Sequence, residues 1–380
     1  MEVVLIILLI LLVNAFFVKV LSSNFKVKSE GYLWLLFTVH FILTIAYILY
    51  SSSSRSDSFN YYNKTLYTDD WFSFFKSGTK FIGFLAWPFT QTLGLGYYSV
   101  MLIFSYIGYF ASVFFYLVAV ENIELKPAWA SYTPLELVFL LPNLHFWTSS
   151  LGKGSVITFA IGLFAFGLSR INRRILPTII GAILIYMVRP HILLAIILAS
   201  VIGLIVTSGG LKPFFKWSII IVSVFLFINL SGSVLKFTDT DTLDITSSTT
   251  LSHRTSELSK ASSGIEIGNY NLVYKIFTFW FRPLFFDGLG VLGFLASFEN
   301  LFCLIMAIQI IKWLFKSWSG WNGYFKISLF AFLLGSVILA QITGNLGIAL
   351  RQKAQLMPFF FILYCKALSL NLNNKKISKL

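Results

Sequence analysis

The chain has 380 residues, of which 57% are hydrophobic and only 12% charged, and its mean hydropathy is +0.81. Soluble domains carry charge on about a quarter of their residues, so this composition excludes an ordinary water-soluble fold and predicts an all-α, polytopic transmembrane bundle. The net charge of +14 does not point to nucleic acid, because the Lys and Arg residues fall in short clusters between apolar runs, as the positive-inside rule requires.

The first apolar run, Val3 to Val18, follows Met1-Glu2 directly, without the positive leader and cleavage site of a secretory signal, and reads as a retained first helix. Lys19, Lys26 and Lys28 come next and should hold that end in the cytoplasm, which puts the N-terminus outside. With roughly 20 apolar residues per crossing, the sequence divides into about eleven spans: 2–19, 31–51, 97–120, 134–150, 154–169, 175–189, 191–208, 217–236, 288–311, 326–344 and 355–370. The breaks around Ser149 to Lys153 and Arg189 to His191 are read as tight hairpins, although kinks within longer helices would also fit. The layout is a single integral membrane domain over 1–380, with a first outer loop and interfacial helix at 52–96, a second outer loop at 237–287 and a cytoplasmic tail at 371–380.

Residues able to carry chemistry lie at the interruptions. The first outer loop holds Arg55, Asp57 and Tyr61, then Asp69 and Asp70. A carboxylate beside an arginine and followed by tyrosines can act as general base on a sugar hydroxyl or hold a divalent cation; a solvated loop with ordinary charges has the same composition. In the stretch Pro142 to Ser155, which contains His145 and Trp147, the Gly152-Lys153-Gly154 turn leaves N–H groups free at a helix start. Together with Lys153 that arrangement favours phosphate, though a hairpin turn with an interfacial lysine accounts for it equally. The full spacing of a nucleotide-binding phosphate loop is absent, which argues against ATP.

An arginine at mid-membrane costs about 2.5–3.5 kcal/mol, so Arg189 of Arg189-Pro190-His191 is expected to be paired, functional or near an interface. His191 and His40 lack metal-ligand spacing and read as hydrogen-bonded interior residues, while Cys303 and Cys365 fall inside apolar runs, which excludes a disulfide framework or a thiolate metal site. Arg282-Pro283, Glu299 and a last turn from Asn345 through Arg351 to Lys353 complete the set. Arg55, Lys153, Arg189, Arg282, Arg351 and Lys353 come from separate parts of the chain, and this layout places them all at the outer face. Arginine forks and lysine point charges there suit a pyrophosphate-headed lipid, with His191 beside them.

The order of an outer Asp57/Tyr61 segment, a Pro142 to Lys153 hairpin, an Arg189-Pro190-His191 break and an Asn345 to Lys353 turn resembles the bacterial Wzy-like and EpsG-like polysaccharide polymerases. In layout it also resembles the polyprenyl-phosphate-sugar-dependent (GT-C) glycosyltransferases. The resemblance implies transfer or polymerisation of lipid-linked sugars at the outer face of the bacterial plasma membrane, with Asp57 catalytic. Tyr61, His145, Trp147 and Asn345 would then contact substrate, and the partners would be a polyprenyl (pyro)phosphate-linked glycan, membrane lipids and polysaccharide-assembly proteins. The chain departs from GT-C proteins in lacking a large soluble domain after the last span and an Asp-x-Asp pair in the first loop. Asp239 and Asp241 lie in the second outer segment instead, which leaves dependence on a divalent cation open. The alternatives are a flippase or exporter of the same lipids, with no chemistry, and a non-catalytic subunit of an envelope complex.

Overall fold

The computed structural model describes residues 1–53, 56–125, 132–207, 217, 221, 263–267, 269–288 and 290–377. Its regular elements are helices, arranged in two compact units, Met1–Arg189 and Pro190–Leu380. The sequence reading drew one domain; the division falls at an X-Pro step, where Arg189 leaves the helical region (φ −150°, ψ 83°) as proline disfavours helix in the residue before it.

The first unit contains α1 (Glu2–Asn24), α2 (Glu30–Ser53), α3 (Asp57–Leu66), α4 (Thr79–Trp87), α5 (Tyr97–Asn122), α6 (Pro134–Val138), α7 (Pro142–Thr148), α8 (Lys153–Ser169) and α9 (Ile175–Val188). Polar contacts define its two ends. At one, Glu2 accepts the Gly96 N–H at 2.8 Å, and the Gly78 N–H donates to the Met187 carbonyl at 2.7 Å. At the other, Glu121 pairs with Arg174 at 2.6 Å and Arg170 at 3.5 Å. There the Arg174 guanidinium covers the Phe166 ring at 3.9 Å, and the Lys28 ammonium covers Tyr132 at 4.4 Å.

Residues 134–152 run between these ends as broken helix. Thr133 and Glu136 form a reciprocal capping box that starts α6, and Tyr32 donates to the Glu136 carbonyl at 2.9 Å. Pro142 opens α7, and the chain then turns through 115° into α8. Near that turn the Leu151 N–H faces the Met101 sulfur at 3.2 Å. The single span expected at 134–150 is therefore two short helices, because the lack of an N–H on Pro142 interrupts the ladder. Close approach is possible because α5 presents Gly108: a Cβ there would lie 2.0 Å from the Thr148 carbonyl oxygen. Small residues at such crossings let helix backbones meet.

The second unit contains α10 (Pro190–Thr207), α11 (Leu272–Phe281), α12 (Gly290–Lys316), α13 (Gly323–Ile342), α14 (Leu346–Lys353) and α15 (Met357–Ile377). Helix α10 packs along α13, and α14 bends by 63° into α15. Of the residues expected as a cytoplasmic tail from 371, those through Ile377 belong to α15.

Among the described residues six helices, α1, α2, α5, α10, α12 and α13, are long and apolar enough to cross a membrane, or up to eight if each bent pair is one span. This is fewer than the eleven expected. The 14 residues of α9 reach only about 21 Å, the 134–150 stretch is interrupted, and most of 217–236 lies outside the described residues. Helix α1 leaves Leu5, Leu8, Leu12 and Phe16 exposed, as a surface bathed in lipid tolerates and one in water does not.

Replacing Gly108 by alanine should push α7 away from α5 and lower stability by about 1–3 kcal/mol, read as a lower thermal unfolding midpoint in detergent. An unchanged midpoint would contradict the close crossing.

Candidate functional site

The segment between α2 and α5 is folded into a small cap. Ser56 precedes α3, accepting the Ser58 N–H at 3.3 Å, and hydrogen-bonds Tyr47 of α2 at 3.2 Å, while Ser58 hydrogen-bonds Tyr97 of α5 at 2.6 Å. Asp57, flanked by these two anchored serines, occupies the first turn of α3 and is exposed, a position where the helix dipole favours a carboxylate. Trp71, Phe84 and Trp87 stack beneath, with Trp71 centroids 4.9 and 5.8 Å from the other two. Their indole N–H groups are satisfied by the Phe84 and Thr68 carbonyls at 2.8 and 2.7 Å. An interfacial helix was expected within 52–96; the structure forms α4 and a π turn at Pro88–Thr92, tied back to α3 by Gln91 donating to the Thr65 carbonyl at 2.8 Å.

The cap bears a half-open cavity of about 400 Å³ lined by Tyr61, Lys64, Tyr67, Thr68, Ser73 and Lys80 among others. Asp57, Tyr61 and Lys64 are spaced i, i+4 and i+7 along α3, which places them on one helix face. Tyr61 is also buried against Gly152, its ring 3.4 Å from where a Cβ would sit. It therefore touches both the cavity and the Gly152-Lys153 turn. The Gly78 contact with Met187 brings the last turn of α9, next to Arg189, to the same cap. Among the residues singled out from sequence in this unit, the structure thus gathers Asp57, Tyr61 and the starts or ends of the helices bearing Lys153 and Arg189. Both of those cations are half-buried. Arg55 lies outside the described residues.

Two other residues of that set in the first unit pack against protein neighbours. His145 was read as contacting substrate, but it is fully buried between His40 and the Phe139 carbonyl. Trp147 donates to Asn143 at 3.1 Å and packs among Tyr47, Tyr50 and Phe146. Sequence gave no hint of Lys64 and Lys80 as cavity residues beyond their place in a polar loop.

In the second unit the expected cations also have internal partners. Arg282 grips Asp287 in a fork, Nε lying 3.1 and 3.2 Å from the two carboxylate oxygens, and the Leu284 N–H adds a bond at 2.7 Å. The Asp287 hydrogen bond raises the Arg282 pKa. Burial would raise the Asp287 carboxyl, but the bonds from Arg282 and Leu284 outweigh it and hold it below the ordinary carboxylate value. Lys353, read as a phosphate ligand, is instead buried at 1% exposure and donates to Asn300 Oδ1 and, at 3.2 Å, to the Trp280 carbonyl. Asn300 in turn donates to the Pro283 carbonyl at 2.7 Å. Asn345 caps α14, accepting the Ile348 N–H at 3.1 Å and the Ser263 hydroxyl at 2.8 Å. His191 and Arg351 are half-buried. Asp239 and Asp241 lie outside the described residues, and among those described no three acidic, His or Cys side chains are grouped to hold a metal.

A carboxyl depressed in the folded state adds stability that is complete above its unfolded pKa, about 3.9, and is lost as pH falls through the folded value. Asp287→Asn should lower stability at neutral pH by about 1–3 kcal/mol and flatten the acid side of the unfolding midpoint against pH; an acid limb as steep as the parent's would contradict the pairing. Compared with protein-family models, with curated proteins and with solved structures, the chain matches none.

Proposed function

We propose that the chain is a glycosyltransferase or glycan polymerase that uses a polyprenyl (pyro)phosphate-linked donor at the outer face of a bacterial plasma membrane. The observation that carries this reading is the cap: an exposed Asp57 on the same helix face as Tyr61 and Lys64, which line a cavity large enough for a sugar unit. Lys19, Lys26, Lys28, Arg170, Arg173 and Arg174 mark the cytoplasmic side by the charge rule. In the first unit Lys28, Arg170 and Arg174 cluster at the end away from the cap, which supports an outward-facing cap and N-terminus.

The chemistry follows from the side chains. Asp57 takes the proton from an acceptor hydroxyl as that oxygen attacks the anomeric carbon. The bond from that carbon to the carrier phosphate breaks, and the phosphate leaves with its electron pair on the lipid. Tyr61 and Tyr67 offer flat faces to the C–H surface of a sugar, and Lys64, Lys80 and Lys153 supply positive charge where negative charge develops on the leaving phosphate. Arg189 stands at the end of α9 that the cap contacts, placed to add a guanidinium fork.

Purified protein in lipid, given a polyprenyl-linked donor and acceptor, should lose transfer by about 10²–10⁴-fold on Asp57→Asn, with the thermal unfolding midpoint retained. Lys64→Gln with Lys80→Gln should lower kcat more than it raises the apparent KM. Transfer unchanged by Asp57→Asn would reject the assignment.

A further inference from the structure

Beneath the Gly152 turn, the first unit buries a polar cluster that the transfer chemistry above does not use. His40 of α2 and His145 of α7 meet through their Nδ1 atoms at 3.0 Å, with the two residues 2% and 0% exposed. His145 Nε2 lies 2.7 Å from the Phe139 carbonyl, and His40 Nε2 lies 2.9 Å from the Ser105 carbonyl. Both nitrogens of each ring are thus engaged, and turning either ring over would replace both contacts with carbon.

The protons can be counted. Phe139 O only accepts, so His145 Nε2 carries a proton. His40 Nε2 likewise faces a carbonyl, that of Ser105, and is itself a donor. The Ser105 hydroxyl lies 3.1 Å from it and 2.6 Å from Thr44 Oγ1, while Thr44 and Ser149 have the His40 and His145 carbonyls as acceptors at 2.8 and 2.6 Å. If the pair held only those two protons, the Nδ1 atoms would meet lone pair to lone pair. One more proton between them satisfies every group in the cluster.

We propose that His40 and His145 form a binding site for a single proton, shared between their Nδ1 atoms as an imidazolium–imidazole pair, which locks α7 against α2 and α5. The groups facing the pair are Thr44 from α2, Ser105 and the Tyr109 ring from α5, and Ser149 and the Phe139 carbonyl from the broken segment. None is a carboxylate or a cation, so the charge rests on carbonyl and hydroxyl dipoles alone, and burial works against it. Occupancy is therefore poised: loss of the proton leaves two opposed lone pairs and frees α7, the helix that leads into the Gly152 turn. Buried ionisable groups within membrane helices are commonly proton sites, and histidine is the side chain suited to neutral pH.

The test is a nitrogen-15 spectrum of the full chain in lipid nanodiscs, labelled at histidine and carrying His191→Gln and His253→Gln, so that only the pair contributes. At neutral pH the pair should show three protonated nitrogens and one bare, with a coupling between the two Nδ1 atoms, and the count should fall to two on raising the pH. Two protonated and two bare nitrogens at neutral pH, unchanged on acidification to the point of unfolding, would overturn the proposal. Should the double variant not fold, the same count is read in the parent chain by difference from His40→Gln and His145→Gln.

Discussion

An interrupted helix can lie inside an apolar bundle only if each polar group freed by the interruption finds a partner in the protein, because the surroundings offer none. Residues 134–152 have several such partners. The capping box at Thr133, the Tyr32 hydroxyl on the Glu136 carbonyl and the cluster around His40 and His145 satisfy side chains and carbonyls along the way. Gly108 lets α5 come close enough for α7 to settle against it. Where this segment ends fixes where Gly152 and Lys153 stand, and Tyr61 then seats the cap on them. The cap cavity is thus a consequence of how the broken helix is held.

Charge is sorted along the first unit in the same spirit. The end with Lys28, Arg170, Arg174 and Glu121 uses aromatic faces and one acidic partner to settle its cations, with exposure falling from 45% for the Arg170 side chain to 16% for Arg174. The half-exposed Arg170 pair adds little to stability, so its value is in orientation. The cap end keeps Lys64 and Lys80 at a cavity and Asp57 exposed. In the second unit, by contrast, cations have gone inward: Arg282 is held by Asp287, and Lys353 by Asn300 and a carbonyl. That unit's charges hold together the re-entry at Pro283 and the late helix α14.

The long uniform helices were legible in the sequence because lipid-facing runs such as Val3 to Val18 need nothing but apolar side chains over a sufficient length. The breaks at Gly152 and Pro190 were legible too, since each residue type interrupts a helix for a local reason. What lay beyond reading was set by partners remote in sequence. His40 looked like an isolated interior histidine, and its partner is 105 residues away. Lys353 looked like an outward cation because its neighbour is Arg351, yet the groups that draw it inside come from 53 and 73 residues earlier. The cap was read as polar loop plus interfacial helix, because the Trp71, Phe84 and Trp87 stack that organises it has no periodic signature. Span counting overshot for a related reason: hydropathy alone does not register that α9 is short or that 134–150 is broken.

The central claim is that the cap and the Arg170 to Arg174 turn lie on opposite faces of the membrane, with the cap outward. Single cysteines introduced at Lys64 and at Arg173 can be probed in intact cells with a membrane-impermeant maleimide; the native Cys303 and Cys365 are buried. The account predicts labelling at position 64 from outside, and at position 173 only after the membrane is opened. Labelling of both positions from the same side would contradict it.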